Sequence, residues 1–247
     1  MSINMSINMS INIYPIYIYY HLYDGYIKYN SFEEIFEKIN NYNKIINIVS
    51  YNKLNELTKL PNSLIELRCN NNKLTELPEL PNSLQQLICG NNELTSLPKL
   101  PNSLQKLYCD INNLTKLPKL PNSLEFLSCW NNQLTLLPEL SNSLQILWCN
   151  NNQLISLPSL PNSLQYIECN DNQLTSLSKL PNSLQELCCS NNKLKSLPKL
   201  PNSLRKLGCS HNQLTSLPEL PNSLNRLECS NNKFIIKLKY KYLYKFY

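Results

Sequence analysis

The sequence has little glycine and lacks the residue patterns on which most enzymes depend. Three glycines are spread over 247 residues, so no glycine-rich loop is present to cradle a phosphate. Paired carboxylates and a serine nucleophile with its histidine and aspartate are also absent from the pattern. We therefore expect no catalytic residues, no cofactor, no metal and no enzymatic activity.

Signals for membranes and secretion are missing as well. Residues 11–20 are apolar and aromatic, but they contain Pro15 and fall far short of the roughly 20 residues that span a bilayer. The start of the chain, from Met1 to Asn12, repeats Met-Ser-Ile-Asn three times without a lysine or arginine, unlike the basic start of a secretory signal. We expect a cytoplasmic protein without a membrane span.

Positive charge is concentrated at one end of the chain. The net charge is +6, and residues 233–247 contain five lysines and no acidic residue. Residues 61–232 contain 13 basic and 12 acidic residues, whereas nucleic-acid binders carry a basic stripe. We expect no nucleic acid on the central region. Residues 235–247 alternate apolar residues with lysine, which predicts a capping strand or tail; contact with RNA or a membrane is the alternative.

A 20-residue unit occurs nine times in residues 61–234. The first copy reads Pro-Asn-Ser-Leu-Ile-Glu-Leu-Arg-Cys-Asn-Asn-Asn-Lys-Leu-Thr-Glu-Leu-Pro-Glu-Leu, and each later copy follows the one before it without an insertion. Leu67 and Cys69 are two positions apart, so in a strand both point to one face. Pro78 and Pro81 exclude a helix interior on the other side of the unit.

The spacing Leu64-x-x-Leu67-x-Cys69-x-x-Asn72-x-Leu74 resembles the leucine-rich repeat. The trailing Leu-Pro-x-Leu-Pro is similar to the short 20-residue class of bacterial effector proteins. The bias to Asn, Ile, Lys and Tyr resembles leucine-rich-repeat proteins of giant DNA viruses of amoebae. The resemblance implies a repeat solenoid with a parallel β-sheet on its concave face and an extended, helix-poor convex face. A viral origin would imply a host protein as partner and the host cytoplasm as location.

Such a stack needs caps, because one turn cannot bury its leucines alone. Ser31 and Glu34 fit a capping box, so we predict a short capping helix over residues 31–42. Residues 43–60 are interpreted as a degenerate first repeat, with Lys44 and Asn47 where leucines belong; together, residues 31–60 form the N-terminal cap. Residues 1–30 are a low-complexity segment rich in Asn, Ile and Tyr.

Nine of the ten cysteines occupy one inward position of the repeat, which predicts buried, reduced thiols. Zinc sites need closely paired cysteines such as Cys-x₂-Cys, and none occurs. Cys188 is the tenth cysteine and points outward. Its nearest histidine, His211, would lie roughly 11 Å away in such a sheet, too far for a nucleophile and its base.

Variation among the repeats is concentrated at strand positions that alternate with the inward residues. Aromatic and apolar residues cluster there, as at interfaces and hot spots, although mutual packing of the rings is the alternative. The predicted partner-binding residues are Ile88, Tyr108, Phe126, Trp130, Ile146, Trp148 and Tyr166. The predicted function is protein recognition by the concave face. Alternatives are a substrate adaptor for a ubiquitin ligase or other enzyme on a separate chain, and a repeat expansion without a selected partner.

Overall fold

The computed structural model describes residues 3–8, 15–20, 25–29, 45–49, 56–57 and 59–234. The chain forms two compact units, Met1–Leu124 and Glu125–Tyr247. The predicted capping helix at 31–42 and the C-terminal segment 235–247 lie outside the described residues. The proposed domain boundaries at the two ends therefore stay predictions.

The sheet of the first unit combines antiparallel and parallel pairs. β1 pairs antiparallel with β2 and parallel with β3, and β2 pairs antiparallel with β4. From β4 to β7 the pairing is parallel, and each strand follows its neighbour in the chain. Its strands are β1 (Ile3–Asn8), β2 (Pro15–Tyr20), β3 (Gly25–Tyr29), β4 (Ile45–Val49), β5 (Glu66–Arg68), β6 (Gln86–Ile88) and β7 (Lys106–Tyr108).

The join between β4 and β5 departs from the register of the later repeats. The sequence places Asn47 where a leucine belongs, but the pairing sets Ile46 opposite Leu67 and Asn47 opposite Arg68. The register here is therefore offset by one position, and the polar Asn47 does not take the leucine position. Because side chains alternate along a strand, a shift of one position exchanges the two faces. The sequence assigned no element to residues 3–8, 15–20 or 25–29, where the structure has strands.

The described residues of the second unit form six strands of three residues, all parallel to their described neighbours. They are β8 (Phe126–Ser128), β9 (Ile146–Trp148), β10 (Tyr166–Glu168), β11 (Glu186–Cys188), β12 (Lys206–Gly208) and β13 (Arg226–Glu228). Each strand lies one repeat after the last, as the sequence predicts. Parallel strands need long crossovers, and here the rest of each repeat provides them.

Leucine and cysteine side chains fill the interior of each turn. In the first complete repeat Leu64, Leu67, Cys69 and Leu74 are all fully buried, with 0% exposure. Leucines on the far side, such as Leu77 at 8% exposure, close the core there. A buried leucine contributes roughly 1.5–3 kcal/mol relative to an exposed one, so the repeated leucines are the main stabilising term.

An asparagine closes the bend after each strand of the repeats; it is buried in six repeats and half-buried in three, at Asn132, Asn152 and Asn232. In the fifth repeat Asn152 donates from Nδ2 to the carbonyl oxygens of Cys129 (3.0 Å) and Cys149 (3.2 Å). Its Oδ1 accepts the backbone amide of Leu134 at 3.0 Å. One side chain thus satisfies backbone groups of two turns that would otherwise be buried without partners. The preceding residue, Asn151, is left-handed with φ of 50°, which turns the chain out of the sheet.

None of the described residues is helical. After each bend the chain is extended, with a turn in which the Leu64 amide donates to the Pro61 carbonyl at 3.1 Å. The Ser83 hydroxyl lies 2.7 Å from the Asn62 carbonyl oxygen, linking one turn to the next. The prediction of a repeat solenoid with a parallel sheet and an extended, helix-poor far side is confirmed.

Candidate partner-binding face

The sheet face opposite the buried leucines carries three rows of side chains in the second unit, and we call it the open face. Strand pairing sets the members of each row side by side. The first row is Phe126, Ile146, Tyr166, Glu186, Lys206 and Arg226. The second row is Ser128, Trp148, Glu168, Cys188, Gly208 and Glu228. The third row follows the strands and is Trp130, Asn150, Asn170, Ser190, Ser210 and Ser230.

Two of the predicted site residues contact each other on this face. The rings of Phe126 and Trp148 have centroids 5.0 Å apart and planes at 81°, the edge-on geometry that aromatic pairs favour. Phe126 is 8% exposed and Ser128, opposite Trp148 in the sheet, is 1% exposed. The expectation that Phe126 is exposed is therefore wrong. Phe126 therefore packs against the indole of Trp148 and presents little surface of its own.

The other predicted residues of this unit keep part of their surface exposed. Trp130, Ile146, Trp148 and Tyr166 are half-buried. Ile146 lies between Phe126 and Tyr166 in the first row, and the Tyr166 hydroxyl is 3.4 Å from Gln185 Oε1. Apolar surface with a polar edge is typical of the centre of a protein interface.

The remaining two predicted residues belong to the first unit. Ile88 and Tyr108 are neighbours in the sheet and both are half-buried. Burial raises the pKa of the Tyr108 hydroxyl, and the nearby Arg68 opposes that shift. Arg68 itself forms an ion pair with Glu66. The seven predicted residues are divided between the two units. Their continuity as one patch therefore stays a prediction.

Charged side chains of the open face are paired, with one exception. Glu186 lies 3.7 Å from the Lys206 ammonium, and Glu228 lies 2.6 Å from the Arg226 guanidinium. Glu168 accepts a hydrogen bond from Asn150 Nδ2 at 2.9 Å. Within the described residues no lysine or arginine nitrogen lies within the 4.0 Å ion-pair distance of Glu168.

The repeat geometry agrees with known proteins. The family described as "Leucine Rich repeats (2 copies)" matches residues 182–222. The leucine-rich-repeat domain of a Shigella effector is 32% identical, with a TM-score of 0.51, and the match covers 70% of this chain and 71% of that one. The chain belongs to the leucine-rich-repeat family. No curated protein matches the sequence.

Two further structures resemble this leucine-rich-repeat protein. YopM from Yersinia enterocolitica is 35% identical with a TM-score of 0.48, and the match covers 76% of this chain and 51% of YopM. The chain thus spans about half of that protein. The functional domain of InlJ from Listeria monocytogenes, described as including a cysteine ladder, is 24% identical with a TM-score of 0.59; the match covers 76% of this chain and 54% of that one. The kinship to bacterial effector repeats is confirmed, whereas these comparisons give no support to a viral origin.

The cysteines of this leucine-rich-repeat protein are buried, apart from one. Cys229 is half-buried and the other nine, including Cys188, are buried. Cys188 was predicted to point outward, but an outward position does not leave this thiol exposed, since its exposure is 8%. Burial raises the pKa of Cys188, and the Lys206 ammonium, which interacts with the sulfur, opposes this. A protonated, covered thiol is a poor nucleophile.

Burial also raises the pKa of the inward thiols. Burial raises the pKa of Cys69 and that of Cys209 to about 12. At Cys149 burial raises the pKa further, with the neighbouring Cys129 and Glu168 adding to the shift. Within residues 59–234 no group of three His, Cys, Asp or Glu side chains is arranged to hold a metal ion.

A cleft of about 200 Å³ lies on the far side of the second unit. It is found where Ser178 replaces the usual proline and Ser159 replaces a longer charged residue. Asn162, Lys179 and Asn182 complete its polar lining, and all five of these side chains are exposed. Exposed groups of this kind are solvated, so the cleft is a surface depression without a buried recognition group. In the part of the chain that the structure describes, no helix is long and apolar enough to cross a membrane.

Sequence reasoning missed Glu168 and Asn150 as members of the site. Both vary among the repeats, like the aromatic residues that were selected, and Glu168 pairs in register with Trp148. The predicted site residues are aromatic or apolar, whereas Glu168 is a polar neighbour in the same row as Trp148. The place of Glu168 beside Trp148 in this row is the signal that identifies it.

Proposed function

We propose that this leucine-rich-repeat protein is a non-enzymatic recognition module, which binds a protein partner on the open face of the second unit. The observation that carries the proposal is the half-exposed group Trp130, Ile146, Trp148 and Tyr166, held in register on a rigid sheet. Tryptophan and tyrosine dominate the energetic hot spots of interfaces. The kinship with bacterial effector repeats supports this function.

The scaffold explains why these four positions can vary. Leucine, cysteine and asparagine occupy the buried positions and build the turn. The half-exposed side chains of the open face do not build the turn. They can therefore vary and form a specific binding surface without loss of the fold. Trp148 is also fixed by its edge-on contact with Phe126, which lowers the entropy lost on binding.

The partner is proposed to be a cytoplasmic protein. A viral origin and a host partner stay predictions from composition alone. A substrate adaptor for a ubiquitin ligase would use the same binding face. In that case affinity purification would recover ligase components together with the bound substrate.

Affinity purification from cells that express the full chain tests the proposal. Trp148→Ala and Trp130→Ala should each weaken capture of the partner by about 2 kcal/mol, or roughly 30-fold. The matched control is Leu136→Ala, because Leu136 is an exposed apolar residue at 55% exposure that lies outside the three rows of the open face. Glu79→Ala, on the far side of the first unit, is a second control and should do almost nothing.

Equal capture by the parent and by the double tryptophan variant would refute this placement. Loss of capture by Leu136→Ala with retention by Trp148→Ala would move the interface off the open face. Failure to recover any partner that depends on the folded repeats would favour a repeat expansion without a selected partner. Unchanged thermal midpoints of the variants establish that the fold is intact.

A further inference from the structure

Glu168 is a carboxylate without a counter-charge on a face where the other charges are paired. Glu186 has Lys206, and Glu228 has Arg226. The nearest described cation along the open face, Lys206, is two strands away from Glu168 and already contacts Glu186. The Glu168 carboxylate, which follows the aromatic residues along the open face, is therefore available to a cation from outside the described residues.

The Glu168 carboxylate is also held in place. Asn150 donates from Nδ2 to Glu168 Oε2 at 2.9 Å. The same asparagine accepts the backbone amide of Asn170 on its Oδ1 at 2.8 Å, which fixes the direction of its Nδ2. Oε1 of Glu168 has no hydrogen-bond donor within the described residues. This oxygen is a positioned acceptor, and it loses little entropy on binding.

The indole of Trp148 and this carboxylate belong to paired positions on adjacent strands of the open face. Trp148 is the register partner of Glu168 on the adjacent strand, about 4.8 Å away between strand axes. Indole is the best aromatic partner for lysine or arginine cations, and a carboxylate forms strong charge-assisted hydrogen bonds with them. A neutral apolar ligand would satisfy the indole but leave the carboxylate desolvated without compensation.

We infer that Trp148 and Glu168 together bind a cationic side chain, arginine or lysine, of the partner protein. This inference rests on the proposed function and names the chemistry of the contact. The cation lies over the indole and donates to Glu168 Oε1, while Asn150 keeps the carboxylate oriented. Tyr166 and Ile146 contact the apolar stem of the bound side chain, in the row beside Trp148.

Nuclear magnetic resonance on the full chain tests the contact directly. The sequence has two tryptophans, so a ¹H–¹⁵N spectrum contains two indole signals, and Trp130→Phe assigns the signal of Trp148. The probes are the peptides acetyl-Gly-Ser-Xaa-Ser-Gly-amide, with arginine, lysine or uncharged citrulline as Xaa, each titrated to about 10 mM. The arginine and lysine peptides should shift the Trp148 signal saturably, and the citrulline peptide should not.

Glu168→Gln is the decisive variant, since it removes the charge and retains an oxygen that accepts from Asn150. It should weaken arginine-peptide binding about tenfold at low salt. The matched control Glu186→Gln, whose carboxylate is already paired with Lys206, should change it by less than about twofold. No shift with any peptide, equal shifts with citrulline and arginine, or equal binding by Glu168→Gln would each overturn the inference.

Capture of the partner separates this inference from the proposed function. If Trp148→Ala abolishes capture but Glu168→Gln does not weaken it, the open face is the interface and the cation contact is wrong. If both variants capture the partner as well as the parent does, the proposed function itself fails. Loss with both variants, together with the peptide result, supports the two proposals jointly.

Discussion

Asn172 Oδ1 accepts the backbone amide of Leu154 at 3.0 Å, across the gap between two consecutive repeats. The Nδ2 of the same side chain donates to the carbonyl oxygens of Cys149 and Cys169, at 3.0 and 3.2 Å. Asn172 is 8% exposed, so water cannot easily replace these bonds. The asparagine at this position thus couples its own turn to the turn before it, and the same contacts recur at Asn192 and Asn212.

Replacing this asparagine should be costly. Asn172→Ala leaves the buried Leu154 amide without a partner, whereas the carbonyls of Cys149 and Cys169 keep Asn152 and Asn192 as donors. We therefore expect the free energy of unfolding to fall by about 1–3 kcal/mol. Urea denaturation followed by circular dichroism measures the change. Gln173→Ala is the control, because Gln173 is exposed, and it should stay within about 0.5 kcal/mol of the parent. A similar effect of the two substitutions would contradict the role assigned to the asparagine row.

The repeated part of the fold was predictable because each scaffold position occurs nine times. Leu67 and Cys69 were assigned inward from their spacing, and both are fully buried. Asn72 belongs to the repeat spacing by which the sequence resembles the family, and its Nδ2 donates to the Cys69 carbonyl at 3.1 Å. Proline on the far side correctly excluded helix. Each of these inferences depends only on contacts within one repeat or between identical neighbours.

The open face was less predictable, because the burial of a side chain there depends on its neighbours in adjacent strands. Phe126 is buried, and the ring of Trp148 on the next strand packs edge-on against it. Cys188 lies between Glu168 and Gly208 in its row and interacts with Lys206 from another row. Repeat spacing encodes which face a residue occupies but not the size or reach of the side chains beside it.

Thiol reactivity should follow burial and not the orientation along the strand. In the folded protein Cys229, the half-buried thiol, should react first with a maleimide reagent. Cys188 should react slowly, because it is only 8% exposed. Burial raises the pKa of both thiols, so exposure to the reagent decides the order of reaction. Mass spectrometry of partially labelled protein identifies the order of modification. Labelling of Cys188 ahead of Cys229 would contradict the structure, and labelling in denaturant supplies the control for complete reaction.

Stability should decrease at alkaline pH. Burial raises the folded-state pKa of the inward thiols, Cys69 to about 12, whereas the unfolded thiol titrates near 8.5. The unfolded state therefore loses protons first, and the free energy of unfolding falls above about pH 8.5 by up to about 1.4 kcal/mol per pH unit for each such thiol. Below that pH the contribution is fully present.

Urea denaturation between pH 7 and pH 10 measures this slope. Lysines also titrate near the upper limit, so the comparison is with the double variant Cys149→Ala, Cys169→Ala, which lacks two thiols whose pKa values are raised by burial. Its loss of stability with pH should be shallower than that of the parent. Parallel slopes for the two proteins would show that thiolate formation is not the cause.

Ile111 should be a source of local strain that a single substitution relieves. It is left-handed with φ of 51°, at a bend where six other repeats place asparagine. A β-branched residue is disfavoured in this conformation by roughly 1–2 kcal/mol, whereas asparagine tolerates it. Ile111→Asn should therefore raise the free energy of unfolding by about 1 kcal/mol, measured by urea denaturation. Ile111→Val is the matched control, since it retains the branch and the strain and should give no gain. If the valine variant were as stable as the asparagine variant, the left-handed bend at residue 111 would carry no strain.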